Sequence, residues 1–273
     1  MTQNLERNEM KKASAPAPSR SIWSGSITIG LVNVPVKLYS MVYDKGISFH
    51  FLHKTDGHPL KYVKVCTKED KIVPWNEVIR GYEVAKNEYI TFDKAELDAI
   101  KPESDKRIRI SKFVDYFSVD PIHFDKTYAL LPDKSKEAYS LLLNALERKN
   151  KAGAARITLR TKEYPALLHP YKGALVLTTL RYAYDVVDPQ DFEVLQKLEE
   201  PDKTELDMAI KIVSQLSGEF DITEFEDTYM KKVEQLIAQK TKGEIIKVEK
   251  PPEIEAKSLM VALRETIKQL EKK

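Results

Sequence analysis

Cys66 is the only cysteine in the chain, and His50, His53 and His58 precede it within a short segment. Together they offer two chemistries, a thiol nucleophile activated by an imidazole, or a zinc site built from nitrogen and sulfur ligands. Neither pattern is complete. The spacing matches no two-plus-two zinc arrangement, Asp56 is the one oxygen ligand nearby, and a lone cysteine in a β-rich run reads as a small buried hydrophobe. Gly25 to Gly30 has the glycine spacing of a phosphate loop, but Leu31-Val32 stand where a lysine and a hydroxyl residue would hold phosphate and magnesium. Ser26 lacks the second glycine of a nucleophile elbow. No acid and base pair stands out for general catalysis, and no cofactor or metal motif is complete.

The cationic residues are more informative. Lys and Arg number 44 against 42 Asp and Glu, a net +2, yet residues 148–182 carry eight basic side chains and one acid, and residues 183–273 carry fourteen against twenty-one. A near-neutral chain therefore has a basic middle and an acidic C-terminal third. In the run Ala155 to Tyr164, alternation across a single strand sends Ile157 and Leu159 to a core and Arg156, Arg160 and Lys162 to the opposite face. Such a face suits phosphate contacts, which need charge and carry no base readout.

The elements that hold these residues follow from periodicity. The 273 residues, 42% apolar and 32% charged, suffice for a folded core and about two domains. Residues 1–20, with Ala13-Ser14-Ala15-Pro16-Ala17-Pro18-Ser19, read as a disordered leader and not a secretory signal. Val32, Val34, Val36 and Leu38 alternate with polar residues in a strand that Pro35 places at an edge or bend. Leu60 to Cys66, Glu88 to Phe92 and Arg107 to Phe117 are further β-rich runs, the last with Ile108, Ile110, Val114 and Tyr116 on one face. Asp93 and Glu96 form a capping-box pattern for a helix over 94–100, and Ser135 opens another with Ala138, Leu141, Leu142 and Ala145 on one stripe. Gly173 to Val186 is apolar on both faces and predicts a central strand. Short loops between successive strands imply an antiparallel barrel or sandwich, an α+β chain that is mainly β.

Beyond Pro189 the pattern turns helical. Thr204 with Asp207 starts a helix carrying Leu206, Ala209, Ile210, Val213 and Leu216, and Thr223 with Glu226 starts a second with Phe225, Tyr229, Val233, Leu236 and Ile237. After Pro251-Pro252 comes an amphipathic segment with Leu259, Leu263, Ile267 and Leu270 on one stripe. Such a stripe either folds back or docks on a partner, and docking is the reading favoured here. No apolar run approaches the ~18 residues of a membrane span, and the single thiol suits a reducing cytosol.

Ile22-Trp23-Ser24-Gly25-Ser26-Ile27, followed by Gly30-Leu31-Val32-Asn33-Val34-Pro35-Val36-Lys37-Leu38-Tyr39-Ser40, closely resembles the N-terminal signature of the prokaryotic Ku family. The likeness continues through Arg80-Gly81-Tyr82-Glu83, Phe124-Asp125-Lys126-Thr127-Tyr128, Thr158-Leu159-Arg160 and Phe225-Glu226-Asp227-Thr228-Tyr229, and spans about Ser21 to Gly243. It implies a β-barrel core over 21–195 with a bridging arm over about 45–115, a helical arm over 196–250, and a linker and final helix over 251–273. It further implies a ring-shaped homodimer that threads onto double-stranded DNA ends in the nucleoid and recruits an ATP-dependent DNA ligase for non-homologous end joining. A compact chain of this length, with a radius of gyration of about 18 to 19 Å, cannot keep a core and also surround a duplex; two copies can. The resemblance makes Lys54, Lys61 and Lys64 of the arm DNA contacts beside Arg156, Arg160 and Lys162, and Leu259, Leu263, Ile267 and Leu270 the ligase-docking stripe. Many members carry a second cysteine three residues after the position of Cys66; here that residue is Glu69. Some members end in a long lysine-rich tail, which is expected to be missing here. The alternative reading is a β-barrel for single-stranded nucleic acid, with Phe49, Tyr62 and Tyr82 stacking on bases.

Overall fold

The computed structural model describes residues 18–43, 46–100, 105–242 and 258–271. Most of the leader and the Pro251-Pro252 linker lie outside them. The chain divides into two units, residues 1–45 with 49–187, and residues 46–48 with 188–273.

The first unit is built on a closed barrel. Its strands are β1 (Trp23–Ile29), β2 (Val32–Ser40), β5 (Arg107–Val114), β6 (Phe124–Pro132), β7 (Ala152–Leu159), β8 (Lys162–Tyr171) and β9 (Ala174–Leu180). The order around the barrel is β1-β2-β6-β9-β8-β7-β5, antiparallel except where β5 closes on β1 in parallel. Alternation decides which side chains fill it: Ile27, Val34, Val36, Leu38, Ile108, Leu130, Ile157, Leu168, Leu175 and Leu177 pack inside, as expected where a small barrel is filled by its own residues. Helix α2 (Lys136–Lys149) packs on this core through Tyr139, Leu142, Leu143 and Leu146. The Tyr139 hydroxyl donates to the Leu130 carbonyl at 2.7 Å and accepts from the Leu175 amide at 2.8 Å.

Three expectations change here. The barrel leaves β2 no free edge; Pro35 is tolerated because pairing with β6 starts one residue later, at Val36↔Pro132. The α2 stripe is rotated from the one expected, with Leu141 and Ala145 exposed, because four residues at i, i+3, i+4 and i+7 beginning at Tyr139 meet the barrel. The run Ala155 to Tyr164 is two strands, β7 and β8, joined by a two-residue turn in which Arg160 takes a positive φ of 59°. Strand β9 is buried on both faces, Leu175 and Leu177 inward and Val176 and Thr178 outward.

The bridge runs between β2 and β5. It holds the hairpin β3 (Arg80–Ala85) and β4 (Glu88–Phe92), and helix α1 (Lys94–Ala99), capped reciprocally by Asp93 and Glu96. Leu60 to Cys66 is extended chain with one isolated bridge, Val65↔Ile72, and not a ladder strand. Among its described residues none is buried between Met41 and Arg107.

The second unit holds α3 (Glu193–Gln196), α4 (Lys203–Leu216), α5 (Thr228–Thr241) and α6 (Leu259–Leu270). Asp202 caps α4 by accepting from the Thr204 and Glu205 amides, and Asp227 caps α5 through the Met230 amide. Both starts differ from the expected ones because an aspartate nearer the helix takes the cap; Phe225 therefore precedes α5 and packs on Phe220, ring centres 5.6 Å apart. Helix α6 lies along α4, with Lys211 Nζ 2.7 Å from Glu271 Oε1. Leu263, Ile267 and Leu270 are half-buried and Leu259 is exposed. Leu206, Ile210, Val213 and Leu216 of α4 form an exposed apolar stripe.

Candidate nucleic-acid interface

The barrel register builds a cationic row on the outer wall. Ser26 pairs with Arg107 and Thr28 with Arg109 across β1 and β5, and Arg109 pairs with Arg156 across β5 and β7. Directly paired residues project to the same face of a sheet, and Ile108 between the two arginines of β5 is fully buried. Arg107, Arg109 and Arg156 therefore stand together, outward and exposed. Two of them have acidic neighbours: Arg109 bonds Asp105, and Arg156 Nη1 lies 3.5 Å from Glu163 Oε1. Ion pairs this exposed contribute little and exchange readily for a phosphate. Arg107 and Arg109 were legible as partners of the inward Ile108 and Ile110, but only the register with β7 shows that they adjoin Arg156.

Arg160 and Lys162 do not share that face. Leu159↔Lys162 and Ile157↔Tyr164 are cross-strand pairs, so Lys162 lies on the side of Leu159 and Tyr164, at the rim of the barrel interior. The turn resets the alternation that a single strand would have kept. The Lys162 ammonium sits 5.2 Å from the Tyr164 ring centre. Arg160, Trp23, Tyr128, Leu159 and Tyr164 line a hollow of about 270 Å³ at this barrel mouth. Burial, with Asp125 and Tyr164 nearby, raises the Tyr128 phenol above its usual value, and Arg160 partly offsets them. Gly25 is required here: a Cβ would fall 2.1 Å from the Lys106 carbonyl oxygen and 2.4 Å from the Trp23 ring.

Lys54, Lys61 and Lys64 lie on the bridge, all exposed. Lys54 sits in a turn closed by the His53 amide to the His58 carbonyl at 2.8 Å, with Gly57 at φ 70°. His53 Nδ1 lies 3.1 Å from Asp56 Oδ1, and the His58 amide followed by the His53 ring holds the Asp56 carboxyl below the usual range. Cys66 occupies a second tight turn, its amide bonded to the Lys71 carbonyl and its carbonyl to the Asp70 amide. Among the described residues no three metal-ligating side chains converge. Lys64 Nζ stands 3.6 Å from the Trp75 ring centre, a cation–π contact that fixes its ammonium on the arm. Phe49, Tyr62 and Tyr82 are exposed, as are Phe51, Trp75, Tyr89 and Ile90. Exposed aromatic side chains gathered in one segment suit an interaction surface.

Residues 28–208 match the family described as the Ku70/Ku80 beta-barrel domain. The chain is 38% identical over 230 residues to a non-homologous end joining protein Ku of Anaeromyxobacter sp. (strain K), covering 84% of this chain and 77% of that protein. The like-named protein of Archaeoglobus fulgidus is 38% identical over 249 residues, 91% of this chain and 98% of its own length. That of Bacillus subtilis (strain 168) is 33% identical over 252 residues, with 90% and 81% covered.

Proposed function

The chain belongs to the Ku family, and on that premise we propose that it binds double-stranded DNA ends without regard to sequence, as a homodimeric ring, in non-homologous end joining. The observation that carries the reading is the bridge: a long arm with no buried described residue, both cationic and apolar, that has to close on other surfaces. A second copy covers the apolar side chains and DNA meets the lysines. The arginine row of the barrel wall and the bridge lysines supply delocalised phosphate contacts, which give affinity and mobility but no register. The protein acts as a scaffold in the cytoplasm, on the nucleoid, with no cofactor and no chemistry of its own.

The finer part of the proposal is recruitment of an ATP-dependent DNA ligase through α6, with Leu259 and the stripe of Leu263, Ile267 and Leu270 as the docking residues. Because α6 also lies along α4, truncation at Glu249 separates two roles. Loss of ligation stimulation with DNA binding intact supports docking; a lowered melting temperature with stimulation unchanged assigns α6 to packing alone.

The exposure of Phe49, Tyr62 and Tyr82 also suits stacking on unpaired bases. Competition among linear duplex, closed circular duplex and single strands distinguishes the two readings: an end binder prefers linear duplex, and a stacking barrel prefers the single strand.

A further inference from the structure

The barrel carries a second surface that none of the DNA contacts above uses. After β5 the chain makes a 3-10 turn over Tyr116–Ser118. This turn lies against the outer face of β8, where Tyr116 and His169 rings meet at 4.7 Å. Beside them a cleft of about 300 Å³ opens, lined by Tyr116, Phe117, Lys151, His169, Pro170 and Tyr171 among others. Phe117 packs edge-on against Tyr116 at 5.4 Å and is otherwise 89% exposed. Tyr171 is half-exposed. A phenylalanine held out in water at the lip of an aromatic cleft costs hydrophobic free energy that a partner's side chain would recover.

The floor is aromatic. His169 is buried; its Nε2 lies 3.3 Å from Thr178 Oγ1 and its Nδ1 3.3 Å from the Pro170 carbonyl. The rim is cationic. Lys151 lines the cleft, and Lys172 follows Tyr171 in the β8–β9 turn with its ammonium 5.4 Å from that ring. Asp115, 2.5 Å from Lys151 Nζ, is the acid that now answers this charge. An aromatic hole admitting one large side chain, with Lys151 at its wall and Lys172 beside Tyr171, matches a different ligand from the exposed arginine row. We propose that this cleft docks a short acidic segment of a partner protein, anchored by one aromatic or leucine side chain. The anchor seats between Phe117 and Tyr171 over His169, and flanking carboxylates take Lys151 and Lys172. Aromatic anchors in pockets with charged rims concentrate binding energy in few residues.

The test needs no DNA, so its outcome is independent of the end-binding proposal. A fluorescein-labelled peptide Glu-Glu-Asp-Trp-Glu-Asp-Glu is titrated with the full chain by fluorescence polarisation, beside the same peptide with alanine for tryptophan and a labelled twelve-nucleotide oligo-dT. Expected is saturable binding of the tryptophan peptide only, weakened about tenfold or more by Phe117→Ala, by Tyr171→Ala and by Lys151→Glu. Phe117 is exposed, so its variant keeps the fold, and an unchanged melting temperature checks this. No binding at millimolar protein, or equal binding by the variants, overturns the proposal. So does oligo-dT binding that depends on Phe117, which makes the cleft a nucleic-acid site. A dimer-to-monomer shift with Phe117→Asp overturns it too, because a second copy then covers the cleft.

Discussion

Neutralising the arginine row gives the sharpest quantitative consequence of the structure. Arg107, Arg109 and Arg156 are adjacent through the β1–β5–β7 register, and residues two apart on a strand stand about 7 Å from each other. Each phosphate neutralised contributes about 0.9 to the slope of log affinity against log salt. The variant with all three changed to Gln should thus lose about 2.7 from the slope. Referred to 1 M salt, that is about 500-fold weaker binding at 0.1 M and about 80-fold at 0.2 M, the same for every duplex sequence. Glu163→Gln should act in the opposite sense, because it frees Arg156 from its 3.5 Å neighbour and removes a negative charge beside the phosphates. An exposed pair is worth at most about 1 kcal/mol, so the tightening should stay within about fivefold. Anisotropy of a labelled linear duplex, titrated from 50 to 400 mM KCl, reads both effects. A folded triple variant with an unchanged slope, or weaker binding by Glu163→Gln, would refute the assignment of this wall to DNA.

Gly25→Ala should lower stability by about 2 kcal/mol or more in urea titration, since overpacking of this severity displaces either β1 from Lys106 or the Trp23 ring; a wild-type midpoint would show that the barrel mouth yields freely. Tyr139→Phe strips a buried amide and a buried carbonyl of their shared partner and should cost about 1–3 kcal/mol, with DNA affinity per folded molecule unchanged. Burial lowers the His169 pKa below its ordinary value, and the Pro170 carbonyl partly offsets this. The unfolded chain then binds the extra proton first, so stability should fall as pH drops from about 6.5 towards the folded-state pKa and be flat above it. Thermal melts of His169→Gln should lose that part of the pH dependence; an unaltered profile would place the titrating group elsewhere.

Much of the barrel was legible because one-sided burial imposes a period of two. Val34, Val36 and Leu38 face inward as their alternation requires, and β9 is apolar on both faces because both are covered. What the sequence hid were the places where local signals are silent. No glycine, asparagine or proline marks the Arg160-Thr161 turn, so one apparent strand is a hairpin and Lys162 changes face. The α2 stripe could be drawn two ways from leucines at 141, 142, 143 and 146, and only contact with the barrel chooses between them. Arg156 was visible as an outward residue, but its association with Arg107 and Arg109 depends on pairing between segments far apart in the chain. The bridge has β-rich composition without burial, so alternation there carries no information about facing.

On the proposed reading, DNA enters this protein only through an end. This is tested most directly by measuring binding to one duplex in linear and covalently closed circular form, at equal length and salt, and then circularising a loaded linear duplex before raising the salt. With about six to ten phosphates neutralised, free binding should fall by about 10³ to 10⁵ between 50 and 200 mM salt. A threaded ring should ignore closed circles at every salt and remain trapped on the circularised duplex at salt that prevents fresh loading. Equal affinity for the two forms, with no salt-resistant trapped population, would contradict threading and leave a general cationic DNA binder.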